Sequence, residues 1–205
     1  MLKPDRKQFG SDPFGYSALA WHRWGTVQTI AGFPTEPKLA ATSAELKNPI
    51  LWLTQATALS EAAVVLLAKE PSWEHMPLSA RSMCDSQYCA AALMLVGYSL
   101  EVCLKGMQIV RKGVDAYSDE ERRFLHHRLE ELAELVPNLS EKDQAILRLL
   151  THFVTWAGRY PDPGKKFESS AAEIFELAEL HQVSGNDLFA LAARVMKHMQ
   201  VIVNE

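Results

Sequence analysis

The chain has 205 residues, 48% of them hydrophobic and 22% charged, with a formal net charge of −4 and a pI near 6.0. That length suits one domain, with or without an appended arm, and the apolar content suffices for a packed core. The acidic balance argues against strong non-specific nucleic-acid binding and leaves room for a local basic patch.

Residues 1–42 read as an arm and residues 43–205 as the main domain. Pro4, Pro13, Pro34 and Pro37 punctuate the arm, with Gly10, Gly15, Gly25 and Gly32 between them. Phe9, Phe14, Tyr16, Trp21, Trp24 and Phe33 make it too aromatic for polar disorder. Tyr16–Ala31 has the length of one helix, and the arm is expected to pack on its own core or on a second subunit. The N-terminal segment MLKPDRKQFG lacks the apolar run of a signal peptide.

The first strong helix is expected over Ser43–Lys69, with Ser43 as N-cap and Pro49 either kinking it or marking its true start. Leu53, Ala56, Leu59, Ala63 and Leu66 form its stripe. The next, over Ser79–Arg111, contains the most apolar stretch of the chain, AALMLVGYSLEVCLKGMQIV from Ala91 to Val110. That stretch carries Glu101 and Lys105 one turn apart, in the favourable order for a pair on one face. It also holds Gly97 and Gly106, each costing roughly 1 kcal/mol against Ala in a helix, which lets neighbours approach closely. Arg111, Lys112 and Gly113 form a stop signal. No run reaches about 18 uninterrupted apolar residues, so neither a transmembrane helix nor a membrane partner is expected.

A third helix is expected from Ser118 or Asp119 to Pro137, with Leu125, Leu129, Leu132 and Val136 on one face. Ser140-Glu-Lys-Asp143 reads as a capping box, with Asp in place of Glu, before a helix carrying Ile146, Leu149, Leu150, Phe153 and Val154. The prolines and glycines of WAGRYPDPG, Trp156–Gly164, forbid its continuation. Ser170-Ala-Ala-Glu173 suggests another capping box, for a short helix reaching His181. Ser184-Gly-Asn-Asp187 caps a last helix with Leu188, Leu191, Ala192, Val195, Met199 and Ile202 as its stripe. The fold class is therefore all-α: an antiparallel helical bundle with an aromatic-rich N-terminal arm.

Three cysteines, Cys84, Cys89 and Cys103, share one helical region without a CxxC or Cys/His spacing. Buried, reduced thiols of a cytoplasmic protein are the expectation. His126 and His127 are adjacent and point to different parts of a helix, and no HExxH occurs, so no metal or other cofactor is expected. No glycine-rich phosphate loop and no Gly-x-Ser-x-Gly elbow is present.

The charges of the apolar helix carry the chemistry. Glu101 and Lys105 need partners or a cleft, and His127 and Arg159 are the natural candidates. Two readings stand side by side. One is a polar pocket that binds an anion such as phosphate through Lys105 and Arg159, beside Trp156 and Tyr160. The other is a buried network that ties three segments together. Arg122 reads as a solvated helix charge.

Leu100-Glu101-x-x-Leu104-Lys105, His127-x-Leu129-x-x-Leu132 and Arg159-Tyr160-Pro161, in this order, resemble the HEPN superfamily of small helical bundles over residues 45–200. The resemblance implies four or five helices and a homodimer. Many members are RNases of toxin–antitoxin, CRISPR or phage-defence systems, with an Arg, four to six residues, then a His, at the dimer interface; others bind RNA, nucleotides or partner proteins without catalysis. Arg122 and His127, with four residues between them, match that string, and the resemblance implies an Arg that stabilises a phosphorane and a His that acts as general acid or base. In the nuclease members that motif sits late in the bundle, whereas Arg122 and His127 sit early in the third expected helix. The resemblance thus implies a non-catalytic module for RNA, a nucleotide or an antitoxin-like partner. Its alternatives are a metal-independent RNase using Arg122 and His127 across a dimer, and a purely structural dimeric interaction protein.

Overall fold

A computed structural model describes residues 6–17, 24–30, 32, 33, 36 and 39–204. Among these residues all regular structure is helical and no strand occurs, so the chain is all-α. It divides into two compact units, Met1–Leu51 and Trp52–Glu205.

The first unit contains α1 (Lys7–Ser11), α2 (Pro13–Ser17), α3 (Trp24–Ile30) and α4 (Ser43–Leu46). Part of the expected helix Tyr16–Ala31 lies outside the described residues; α2 and α3 flank that part. Thr42, not Ser43, caps α4. Its hydroxyl accepts from the Glu45 N–H, while the Glu45 carboxylate accepts from the Thr42 N–H at 2.8 Å. The chain then turns at Lys47. Asn48 Oδ1 accepts from the Ile50 N–H at 3.0 Å, and Pro49 opens α5 (Pro49–Ala68). Pro49 therefore marks a start and not a kink, in the position where its missing N–H costs nothing.

The second unit is organised around α6 (Arg81–Lys112), entered through a 3₁₀ turn at Leu78–Ala80. Val96, Leu100, Cys103, Leu104 and Met107 are all buried along it. Around α6 pack α7 (Val114–Glu120), α8 (Leu129–Leu132), α9 (Glu141–His152) with the π-helical turn Phe153–Ala157 that extends it, and α12 (Gly185–Asn204). Two shorter helices, α10 (Gly164–Phe167) and α11 (Glu173–Leu180), follow the bend after Trp156. Glycine sets the close approaches. A Cβ on Gly97 would lie 2.4 Å from Val154 Cγ2, and one on Gly158 would lie 2.5 Å from Met94 Cβ and 2.9 Å from Ala90 O.

The caps at Ser140 and Ser184 form as expected, each hydroxyl accepting from the N–H three residues on, with Asp143 and Asp187 closing back. All six residues of the α12 stripe are buried. Beyond the Ser43 cap, two further expectations fail. The third helix is not continuous: α7 gives way to a 3₁₀ turn at Glu121–Phe124, then to an irregular stretch over 125–128, then to α8. The buried residue is Phe124, stacked 5.1 Å from Tyr117, whereas Leu125 is 70% exposed. At about 100° per residue, one straight helix would set Phe124 and Leu129 some 140° apart, and only a break lets both face the core. The Ser170 capping box is also absent. The Ser170 hydroxyl donates to Phe167 O at 3.1 Å, and Glu173 turns to other partners.

By length and composition, α5 and the stretch Leu78–Lys112 are each apolar enough to cross a membrane, despite their interrupting polar residues. For Leu78–Lys112 the burial of α6 in the core accounts for that composition. On α5 only Ala56 and Ala63 are buried, while Val64, Val65 and Leu67 are exposed.

Candidate ligand-binding site

The site grows from α6. Lys105 Nζ lies 2.7 Å from Glu101 Oε1, and His127 Nδ1 lies 2.8 Å from Glu101 Oε2. The Glu101 and Lys105 side chains are 7% and 12% exposed, while that of His127 is 44% exposed. A nearly dry ion pair thus holds a ring that reaches solvent. Because a carboxylate accepts, Nδ1 carries the hydrogen and Nε2 is the ring's free nitrogen. The irregular stretch that presents His127 is latched to α9: Thr151 Oγ1 accepts from the Leu129 N–H at 3.0 Å and donates toward His127 O at 3.2 Å.

Arg159 reaches this network indirectly. Tyr98, one turn before Glu101, sets its ring edge-on to His127 at 6.2 Å and its hydroxyl 3.4 Å from Arg159 Nη1. The guanidinium also donates to Val154 O at 3.4 Å and to the Tyr160 hydroxyl at 3.1 Å, and lies 5.1 Å from the Tyr160 ring centroid. The Tyr160 hydroxyl, and Tyr98 after it, hold the Arg159 pKa above its ordinary value. All these acceptors are neutral, and no described ion pair involves Arg159.

Trp156 belongs to a second network. Its Nε1 donates to His152 Nδ1 at 3.3 Å, His152 Nε2 lies 2.9 Å from Glu173 Oε2, and Arg148 pairs with the same carboxylate. Indole N–H can only donate, so His152 is fixed as the tautomer that donates from Nε2 to Glu173. Arg122 lies exposed in the 3₁₀ turn and enters no described hydrogen bond or ion pair.

Two cavities flank this second network. The larger, about 1080 Å³, is walled by Met83 and Gln87 of α6, by Trp156, Arg159 and Tyr160, and by Phe175 of α11. The smaller, about 530 Å³, includes His126, His127, Arg128, Arg148 and Lys166. Burial, and then the Arg128 charge, lower the His126 pKa. Lys105 lines neither cavity, being turned onto Glu101. So Glu101, Lys105 and His127 meet directly, Arg159 and Tyr160 stack at the groove's lip, and Trp156 lines the groove with its polar edge turned away. Among the described residues no group of three His, Cys, Asp or Glu is placed to hold a metal.

Sequence reasoning missed Tyr98, Arg148, His152 and Glu173. Tyr98 precedes Glu101 by three residues and His152 precedes Trp156 by four, so helical spacing carried a signal for both. Nothing local tied Glu173 to α9. Comparison with protein-family models, with curated proteins and with solved structures finds no match to the chain.

Proposed function

We propose that the chain is a HEPN-like antiparallel helical bundle that binds RNA or a nucleotide, without catalysis, in the larger groove. One observation carries the reading. A guanidinium satisfied only by neutral acceptors stacks on Tyr160 at the lip of a cavity also lined by Phe153, Trp156 and Phe175. Single-stranded nucleic acid is recognised by that combination, bases stacking on aromatic and guanidinium planes while Arg meets phosphate. With a net charge of −4 the affinity rests on this local set. In the same reading the protein is a cytoplasmic homodimer of a toxin–antitoxin or defence system. The exposed Val64, Val65 and Leu67 of α5 are apolar surface that a second copy or an antitoxin-like partner could cover.

The test is fluorescence anisotropy with labelled single-stranded RNA, with Arg159→Ala and Tyr160→Ala as variants. Each stacked base is worth about 1–3 kcal/mol, so Tyr160→Ala is expected to weaken binding at least about fivefold. No binding at about 100 µM protein in low salt, or equal binding by both folded variants, would overturn the reading.

A second reading, a metal-independent RNase, draws on the Glu101–His127 pair. A buried carboxylate that orients an imidazole and leaves Nε2 exposed is the arrangement a general base needs. Arg122 would have to be supplied across a dimer. Cleavage of RNA in the presence of EDTA, lost in His127→Ala, would favour this reading over the first.

A further inference from the structure

The smaller cavity makes a separate argument, independent of stacking. Its wall draws cations from three segments: Arg128 before α8, Arg148 on α9 and Lys166 on α10. Two carboxylates also line it. Glu173 is held by Arg148 and His152, whereas Glu130, 3.0 Å from the Thr151 hydroxyl, keeps its charge and offsets one of the cations. The cations keep donors to spare. Arg128 meets Glu131 through Nε at 2.8 Å, which leaves both of its Nη groups. Lys166 enters no described ion pair and rests 5.0 Å from the Phe167 ring centroid. His127 adds its Nε2, because Nδ1 is committed to Glu101. The hydroxyls of Thr155 and Ser170 line the same space. At about 530 Å³ the cavity is within the range of small-ligand sites, roughly 300–1,000 Å³.

We propose that this cavity is a phosphate site, taking inorganic phosphate or the terminal phosphate of a phosphomonoester between Arg128, Lys166 and His127. A phosphate group offers three or four acceptor oxygens to donors that converge from different sides. Arg forks suit that geometry, and imidazole adds a donor from Nε2 once protonated. Arg148 contributes charge but keeps its bond to Glu173, so it positions the wall and does not lead the binding.

The experiment is an NMR titration of the full chain, read on the His126 and His127 imidazole resonances at constant ionic strength set with sodium chloride. The probes are inorganic phosphate, AMP and adenosine. Phosphate and AMP are expected to shift these resonances saturably, and adenosine to leave them unmoved. AMP binding much tighter than phosphate identifies a phosphomonoester as the ligand; equal affinities identify free phosphate. A bound anion also favours imidazolium, so the His126 titration midpoint is expected to rise, against the lowering by burial and by Arg128 and Lys105, and alongside the raising by Glu131 and Glu101. Lys166→Met is expected to weaken phosphate binding at least about fivefold with an unchanged melting temperature, since its side chain is peripheral to the core. The proposal is overturned if about 20 mM phosphate produces no shift beyond that of chloride, or if Lys166→Met and Arg128→Met both bind as the unaltered protein does. Failure here leaves the groove reading standing, because RNA binding through Tyr160 is read by different variants.

Discussion

Lys105→Met separates a structural network from an anion pocket. In the structure Lys105 Nζ has one charged partner, Glu101 Oε1 at 2.7 Å, and both side chains are nearly excluded from water. Removing one member of such a pair strands a buried charge, at a cost of about 3–5 kcal/mol. The lower end applies, because Glu101 keeps His127 at 2.8 Å and that ring is 44% exposed. A loss of about 3 kcal/mol in a domain of this size lowers the melting temperature by roughly 6–12 °C, at about 2–4 °C per kcal/mol. Thermal unfolding followed by circular dichroism reads this directly. The double variant Glu101→Leu/Lys105→Met is expected to recover part of the loss, since an apolar pair of similar volume removes the stranded charge. A melting temperature within about 2 °C of the unaltered protein for Lys105→Met would refute the reasoning, as would a double variant less stable than the single.

Gly158→Ala is expected to destabilise by about 1–3 kcal/mol, because its Cβ would meet Ala90 O and Phe153 O, each 2.9 Å away and neither a side chain that can swing aside; urea unfolding measures it. Burial raises the Cys103 thiol to about 12, so a thiol reagent at pH 8 is expected to modify the half-buried Cys84 and Cys89 in the folded protein and to reach Cys103 only on unfolding. The Ser184 hydroxyl first, and Lys142 next, hold the Asp187 carboxyl down to about 2. A group depressed in the folded state stabilises above its unfolded value, near 3.9, and loses that contribution as pH falls toward 2. Ser184→Ala is expected to raise the Asp187 midpoint in a carboxyl NMR titration and to shrink this acid-dependent loss.

What the sequence made legible was whatever a single segment decides alone. The Ser140 and Ser184 caps depend on residues three apart. The α12 stripe depends on a period, and the Gly113 stop on φ of +80° that suits glycine. Each of these formed as expected. The third helix was different, because its outcome turned on whether Phe124 or Leu125 faces the core, and Tyr117 stacking on Phe124 decided it. The Ser170 box had the right spacing and lost to a tertiary competitor: Glu173 gains Arg148 and a buried imidazole from α9, which outweighs one cap bond. The Glu101–Lys105 pair and its link to His127 were legible because charges in an apolar helix demand partners. The route to Arg159 was not, since it passes through the Tyr98 hydroxyl and no charge marks that step.

The wall between the two cavities joins the stability of the domain to both candidate sites. His152 is buried, receives the Trp156 N–H on one nitrogen and serves Glu173 with the other. Its ring therefore fixes the indole that lines the groove and, through Glu173, the Arg148 guanidinium that lines the smaller cavity. His152→Gln can satisfy one of these partners but has no reach to both, whereas His152→Leu satisfies neither and leaves the indole N–H and part of the carboxylate unmatched. An unmatched buried donor costs about 1–3 kcal/mol, so His152→Leu is expected to be the less stable of the two. Both variants should disturb ligand binding in the groove and in the smaller cavity together, although His152 need touch neither ligand. If His152→Leu impaired one cavity and left the other intact, the wall would not be acting as a unit, and the two sites would have to be understood separately.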